Sequence, residues 1–153
     1  MACMAGPLVA VMLALVLAGC ATVGDDPVPA ACLGAPGTFV RALQRAPGAV
    51  RLAGGTRLST CVSRARSDGD LQALGLSLTA AADTLRARVA ADPAAAAGLG
   101  YLDAAVRAGV ASNRGLATQL GRRIQHAATL DPAAPPAAQG ARVRGLRAGE
   151  STG

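Results

Sequence analysis

Residues 67–92, Ser67-Asp68-Gly69-Asp70-Leu71-Gln72-Ala73-Leu74-Gly75-Leu76-Ser77-Leu78-Thr79-Ala80-Ala81-Ala82-Asp83-Thr84-Leu85-Arg86-Ala87-Arg88-Val89-Ala90-Ala91-Asp92, decide the fold class. Leu71, Leu74, Leu78, Ala81 or Ala82, Leu85 and Val89 recur at steps of three and four, the period of one helix face. Ser67 and Asp70 have the spacing of a capping box, with Asp in place of the usual Glu. Asp92-Pro93 ends this helix and opens the next, because Asp caps and Pro suits the first helical position.

The same period continues on the C-terminal side. A second helix is expected over about 93–111, with Leu99, Leu102, Val106 and Val110 on one face. Gly98, Gly100 and Gly109 each lower its intrinsic stability by ~1 kcal/mol relative to Ala, unless they serve a close helix approach. Asp103 and Arg107 stand at i,i+4, the spacing of a weak helical ion pair. Ser112-Asn113-Arg114-Gly115 breaks the pattern. A third helix over about 115–129 places Leu116, Leu120, Ile124 and Ala127 inward.

On the N-terminal side the elements are shorter. Residues 38–46 read as a short helix with Thr38 as N-cap and Phe39, Val40 and Leu43 on its apolar face, ended by Pro47. Residues 48–56 read as a loop or a short hairpin-like turn, and Gly54-Gly55-Thr56 lacks the spacing and Lys of a phosphate loop. Residues 58–66 read as a helix capped by Ser59. The fold expected is therefore all-α: three main amphipathic helices, with one or two short N-terminal helices, forming a small bundle over residues 32–130. Asp131-Pro132-Ala133-Ala134-Pro135-Pro136 stops the helical pattern, and residues 131–153 read as a disordered Pro/Ala/Arg-rich tail.

Composition narrows the function. Of 153 residues 52% are hydrophobic, but there is one Phe, one Tyr and no Trp, so the core must be built from small and aliphatic side chains. The formal charge is +6, carried entirely by Arg, since the chain has no Lys. No basic stripe is interleaved with aromatics for stacking bases, so nucleic acid is not an expected partner. Arg142, Arg144 and Arg147 in the tail read as solvated charges, with contact to anionic lipid headgroups as the alternative.

Catalytic groups are sparse. His126 is the single histidine. Neither a nucleophile nor an orienting acid can be assigned to it, and a catalytic role needs both. The serines lack the nucleophile-elbow spacing, and Ser-x-x-Lys is excluded without Lys. The carboxylates sit mostly at helix starts or in loops. Tyr101 reads as a packing residue with a solvated hydroxyl. No enzymatic activity, cofactor or metal centre is expected.

The N-terminal segment carries a different kind of signal. An uncharged apolar run from near Met4 ends in Leu17-Ala18-Gly19-Cys20. It is shorter than the ~20 residues of an ordinary membrane helix and has the length of a signal-peptide apolar region. No Lys or Arg precedes it, so the amino terminus supplies the positive charge, and Met4 is an alternative start. Small residues at Ala18 and Gly19 followed by Cys20 resemble a bacterial lipobox. The resemblance covers residues 1–20 and implies cleavage between Gly19 and Cys20, a diacylglycerol on the Cys20 sulfur, and acylation of the new amine. It gives an address and an anchor, not an activity. The implied organisation is a signal peptide over 1–19 and a lipid-anchored flexible tether over 20–31, placing the protein at the cell membrane or outer membrane, facing the extracytoplasmic side. Ala21 rather than Asp after the lipidated Cys fits the outer membrane where there are two.

With Cys3 removed and Cys20 lipidated, Cys32 and Cys61 remain as an even pair in an oxidising compartment, and a Cys32–Cys61 disulfide is expected. A zinc site is a poor alternative, since four ligands are needed and only His126 remains to assist. The functional expectation is an envelope-anchored helical module that binds or scaffolds another envelope protein. A lipid or small-molecule carrier is the alternative, and a wall-active hydrolase fares worst.

Overall fold

The computed structural model describes residues 26–113, 115 and 117–153. The lipobox, with Gly19 and Cys20, lies outside the described residues, as does Leu116. Six α-helices follow one another: α1 Pro36–Leu43, α2 Leu58–Arg64, α3 Asp68–Arg88, α4 Ala95–Ala111, α5 Thr118–Ala127 and α6 Pro136–Thr152. Short 3-10 turns at Ala30–Leu33 and Ala53–Gly55 complete the order, and no strand occurs among the described residues. The fold is all-α, as the period of residues 67–92 predicts.

Helix α3 forms where the pattern places it. The Ser67 hydroxyl accepts a hydrogen bond from the Asp70 N–H at 3.0 Å, satisfying one of the orphan donors of the first turn. Leu74, Leu78, Ala81, Ala82 and Leu85 are buried along one face. Asp92 stops the chain by a different route from the one expected. Its carboxylate accepts from the Ala94 N–H at 3.0 Å, in a turn that precedes α4 rather than at the helix's own N-cap.

Two other expected caps are not caps. α1 begins at Pro36, not Thr38, because Pro lacks the N–H that a first-turn residue would leave unpaired. α2 has Arg57 at its N-cap, with no side-chain hydrogen bond. Ser59 lies inside that helix, and its hydroxyl instead donates to the Gly153 carbonyl at 2.7 Å. The turn between these helices relies on glycine: Gly54 and Gly55 have φ of 66° and 74°, in the left-handed region.

Helix α4 is central rather than amphipathic. Every residue from Ala95 to Val106 is buried. A helix apolar all round belongs in the interior. Its three glycines face three different neighbours. A Cβ on Gly98 would lie 3.0 Å from the Leu43 carbonyl of α1, and one on Gly109 would lie 2.6 Å from the Ser59 carbonyl of α2. One on Gly100 would collide with the Arg142 carbonyl of α6. The glycines therefore set how closely the neighbouring backbones approach.

The largest departure from expectation is the segment 131–153. It is not a disordered tail: Pro136–Thr152 is a helix of 17 residues, packed lengthwise on α4. Pro136 occupies the first helical turn, where proline is compatible with helix. Ala138, Ala141, Gly145 and Gly149 then form a buried stripe at steps of three and four. The stripe contains no large side chain, so it carries almost none of the hydrophobic signal that marks an apolar face. It works by proximity. A Cβ on Gly145 would overlap the Ala97 carbonyl, and one on Gly149 would sit 2.7 Å from the Tyr101 carbonyl. As Gly145 meets Ala97 and Gly149 meets Tyr101, the two helices run parallel, with α5 in the connection between them.

The disulfide is present: Cys32 and Cys61 are joined, with Cα atoms 5.3 Å apart and neither residue exposed. It fastens the Ala30–Leu33 turn to α2. The described part of the expected tether, residues 26–31, is accordingly not a free linker. Val28 and Ala31 pack against the core, and Asp26 pairs with Arg64 at 3.0 Å. The buried bridge at Cys32 draws the preceding residues onto the body.

Three substitutions test this packing by stability. Replacing Gly145 by Val should cost at least about 3 kcal/mol in urea unfolding, because backbone blocks the new side chain. Gly140→Ala on the same helix should be neutral or stabilising by up to about 1 kcal/mol, since its Cβ would meet only the flexible Arg144 guanidinium at 3.5 Å. The double variant Cys32→Ser/Cys61→Ser should lose about 3–4 kcal/mol in the same assay, the chain-entropy value for a loop of this length.

Candidate functional site

Two polar or charged residues are buried among the described residues, Asp103 and Asn113. Asp103 on α4 is 5% exposed. Its Oδ2 accepts from Arg142 Nη2 of α6 at 3.1 Å, and its Oδ1 lies 3.2 Å from Arg107 Nε one turn along. The second contact is an ion pair without hydrogen-bond alignment, for Oδ1 accepts no hydrogen bond. Arg142 also donates from Nε to the Ala128 carbonyl at 3.2 Å, where α5 ends. One carboxylate thus ties α4 to α6, and its guanidinium partner reaches α5. The i,i+4 pair read from sequence exists, but the stronger partner is Arg142, which lies 39 positions away.

Asn113 is the second buried polar residue, 5% exposed. Its Nδ2 donates to the Val62 carbonyl at 2.7 Å and to the Ala65 carbonyl at 2.9 Å. These bonds satisfy carbonyls at the C-terminal end of α2, which helix geometry leaves unpaired. Tyr101 is fully buried, and its hydroxyl pairs with Thr152 Oγ1 at 3.0 Å, so the expected solvated hydroxyl is corrected. His126 lies exposed in the last turn of α5. Among the described residues, no three His, Cys, Asp or Glu side chains group closely enough to hold a metal ion. Likewise no described helix is long and apolar enough to cross a membrane.

The arginines of the expected tail divide. Arg142 is committed to Asp103, whereas Arg144 and Arg147 are exposed on α6. Only the latter two are open to a partner's charge.

Two clefts beside α3 are sized for ligand fragments. The first, about 340 Å³, is bounded by Val89 and Ala90 after α3 and by Leu130, Ala133, Ala134 and Pro135 before α6. Arg86 and Asp131 form its polar edge. The second, about 390 Å³, runs between α3 and α5, lined by Leu71, Leu76 and Leu120 with Asp68 and Arg123 at its polar side. Leu76 is 62% exposed there, the most exposed large apolar residue among those described. Sequence reading missed both clefts. The first depends on the fold of residues 130–135 beneath α6. The second needs Leu76, which lies off the stripe that builds the core.

Comparison with known proteins yields no matching family model, no matching curated protein and no matching solved structure.

Substitution can test the role of Asp103. Asp103→Asn should lower unfolding stability by about 2 kcal/mol, less than for a fully buried pair because Arg107 is half exposed. Hydrogen exchange across 136–152 should accelerate in that variant. Glu150→Gln, which loosens only a 4.0 Å surface contact to Arg107, should change stability by less than about 0.5 kcal/mol.

Proposed function

We propose that the chain is an envelope-anchored lipoprotein, held by acyl groups on Cys20, whose helical module binds or scaffolds another envelope component. The observation that carries the reading is the Leu17-Ala18-Gly19-Cys20 junction at the end of an apolar run of signal-peptide length. The Cys32–Cys61 bridge supports it independently, since structural disulfides persist in oxidising compartments outside the cytoplasm. Cleavage before Cys20 leaves few residues between the lipid and the bundle, because the chain is already packed at Val28. The module is therefore held close to the membrane surface. Exposed apolar residues Leu33, Leu76 and Val143 give a partner something to cover.

A second reading, carriage of a lipid or other small molecule, is favoured by one observation: the cleft at Val89 and Leu130 is walled mainly by apolar groups with a single Arg and Asp at its edge.

Native mass spectrometry of protein gently extracted from its own membrane tests both. The expected species is chain 20–153 with acyl groups and an intact disulfide, together with a reproducible companion protein. A co-extracted lipid or metabolite in place of the protein would favour the second reading. Cys20→Ser should abolish acylation and release the protein from the membrane fraction. Unacylated wild-type chain that still carries residues 1–19 would overturn the proposal.

A further inference from the structure

Most ion pairs in this protein use arginine against aspartate. Arg64 meets Asp26, Arg86 meets Asp83, and Arg107 and Arg142 share Asp103. Arg41, Arg45 and Arg51 depart from that habit. They line one cleft of about 310 Å³ with Thr38, Leu52 and Ala53, formed where α1 faces the turn after it. No carboxylate of the described residues lies within 4.0 Å of these three guanidinium groups.

Their hydrogen bonds go to neutral oxygens only. Arg41 donates to Thr38 Oγ1 at 3.4 Å, and Arg45 donates to the Arg51 carbonyl at 3.4 Å. Arg51 donates from one nitrogen to the Val50 carbonyl at 2.9 Å and the Thr152 carbonyl at 2.8 Å. Two of these features place helix C-termini near the cleft: Arg41 lies in the last turn of α1, and Thr152 ends α6. Each such terminus supplies about half a negative charge. The three guanidinium charges exceed these two half-charges, so the cleft keeps a positive excess.

Arg51 is fixed by its two carbonyl bonds, so it keeps its remaining donors in place. Arg41 in the last turn of α1 and Arg45 in the turn that follows it are exposed and hold only long hydrogen bonds. Their forked donors are matched to planar or tetrahedral oxyanions. A carboxylate brings two acceptor oxygens. A phosphate monoester, at about −1.5 to −2 near neutral pH, brings three, one for each guanidinium.

We infer that the Arg41–Arg45–Arg51 cleft is a binding site for a phosphate monoester group, with the Thr38 hydroxyl as a further donor. The inference concerns the folded module and holds whether or not Cys20 carries lipid. Such a group occurs both in anionic lipid headgroups and in free phosphate compounds.

The test uses the full chain in a neutral detergent, titrated by calorimetry with inorganic phosphate, dihexanoyl phosphatidic acid and, as a comparison, succinate. Saturable binding of phosphate or of the short-chain lipid is expected, weakened at least tenfold in Arg41→Gln/Arg45→Gln. Arg144→Gln/Arg147→Gln, which removes two exposed charges elsewhere, should bind as the parent does. All four positions are exposed, and circular dichroism would verify that each variant folds. Tighter binding of the lipid than of inorganic phosphate would identify a headgroup as the source, and equal binding would identify free phosphate. Binding that is absent, unchanged in Arg41→Gln/Arg45→Gln, or equally tight for succinate would overturn the inference.

Discussion

The contact between α4 and α6 is the constraint on which the other packing depends. Where their backbones come closest, neither helix puts a large side chain between them. They meet through Gly100, Gly145 and Gly149, with Ala97 and Ala104 alongside, so that carbonyl groups occupy the space where Cβ atoms would otherwise be. With one Phe, one Tyr and no Trp, the chain has little aromatic volume with which to fill gaps. Bringing backbones together is the other way to reach interior packing density, since dispersion depends on the number of atoms at contact distance. The same logic repeats at Gly98 against α1 and Gly109 against α2. Alanine and glycine, which look like a weak core by composition, become a close-packed one.

Such an interface has low intrinsic specificity, because small residues at repeated spacing fit several registers. The polar groups supply what the apolar ones lack. Asp103 accepts from Arg142, Tyr101 pairs with Thr152, and Arg51 and Ser59 hold the carbonyls of Thr152 and Gly153. A slip of α6 by one turn would take Arg142 away from the Asp103 carboxylate and leave this buried charge with only the half-exposed Arg107 beside it, which is costly. Ion pairing here selects the register that the glycines permit.

What the sequence disclosed follows from which interactions are local. The α3 stripe and its Ser67 cap depend on residues at most a few turns apart, and both were readable. The Cys32–Cys61 pairing was readable because the candidates were so few. By contrast α6 was read as a tail, since Gly140, Gly145 and Gly149 count against a helix by propensity and contribute nothing to an apolar face. Their value appears only when α4 is beside them, and that partner is distant in sequence. Asn113 was read as part of a helix break and Arg142 as a solvated charge for the same reason: the carbonyls of α2 and the carboxylate of α4 are long-range partners. The arginine cleft was likewise hidden, because it needs the turn at Arg51 folded back against Arg41 and Arg45. Caps at Thr38 and Ser59 failed differently, since several residues near a helix start satisfy the same composition rule.

The parallel course of α4 and α6 has a consequence for the order in which the molecule can assemble. Helices α1, α2 and α3, with the link between residues 32 and 61, draw on the first part of the chain and can associate while later residues are still being delivered. Helix α4 cannot be enclosed at that stage. One of its sides stays open until the residues around Gly145 and Gly149 arrive, after α5 and the turn that follows it. A chain emerging from a ribosome or a translocation pore therefore carries its most apolar helix half-dressed over the last part of its passage, and a nascent chain with exposed apolar surface is open to chaperones and to aggregation. The final helix works as a closure, and truncation before it would leave a sticky intermediate rather than a smaller stable protein.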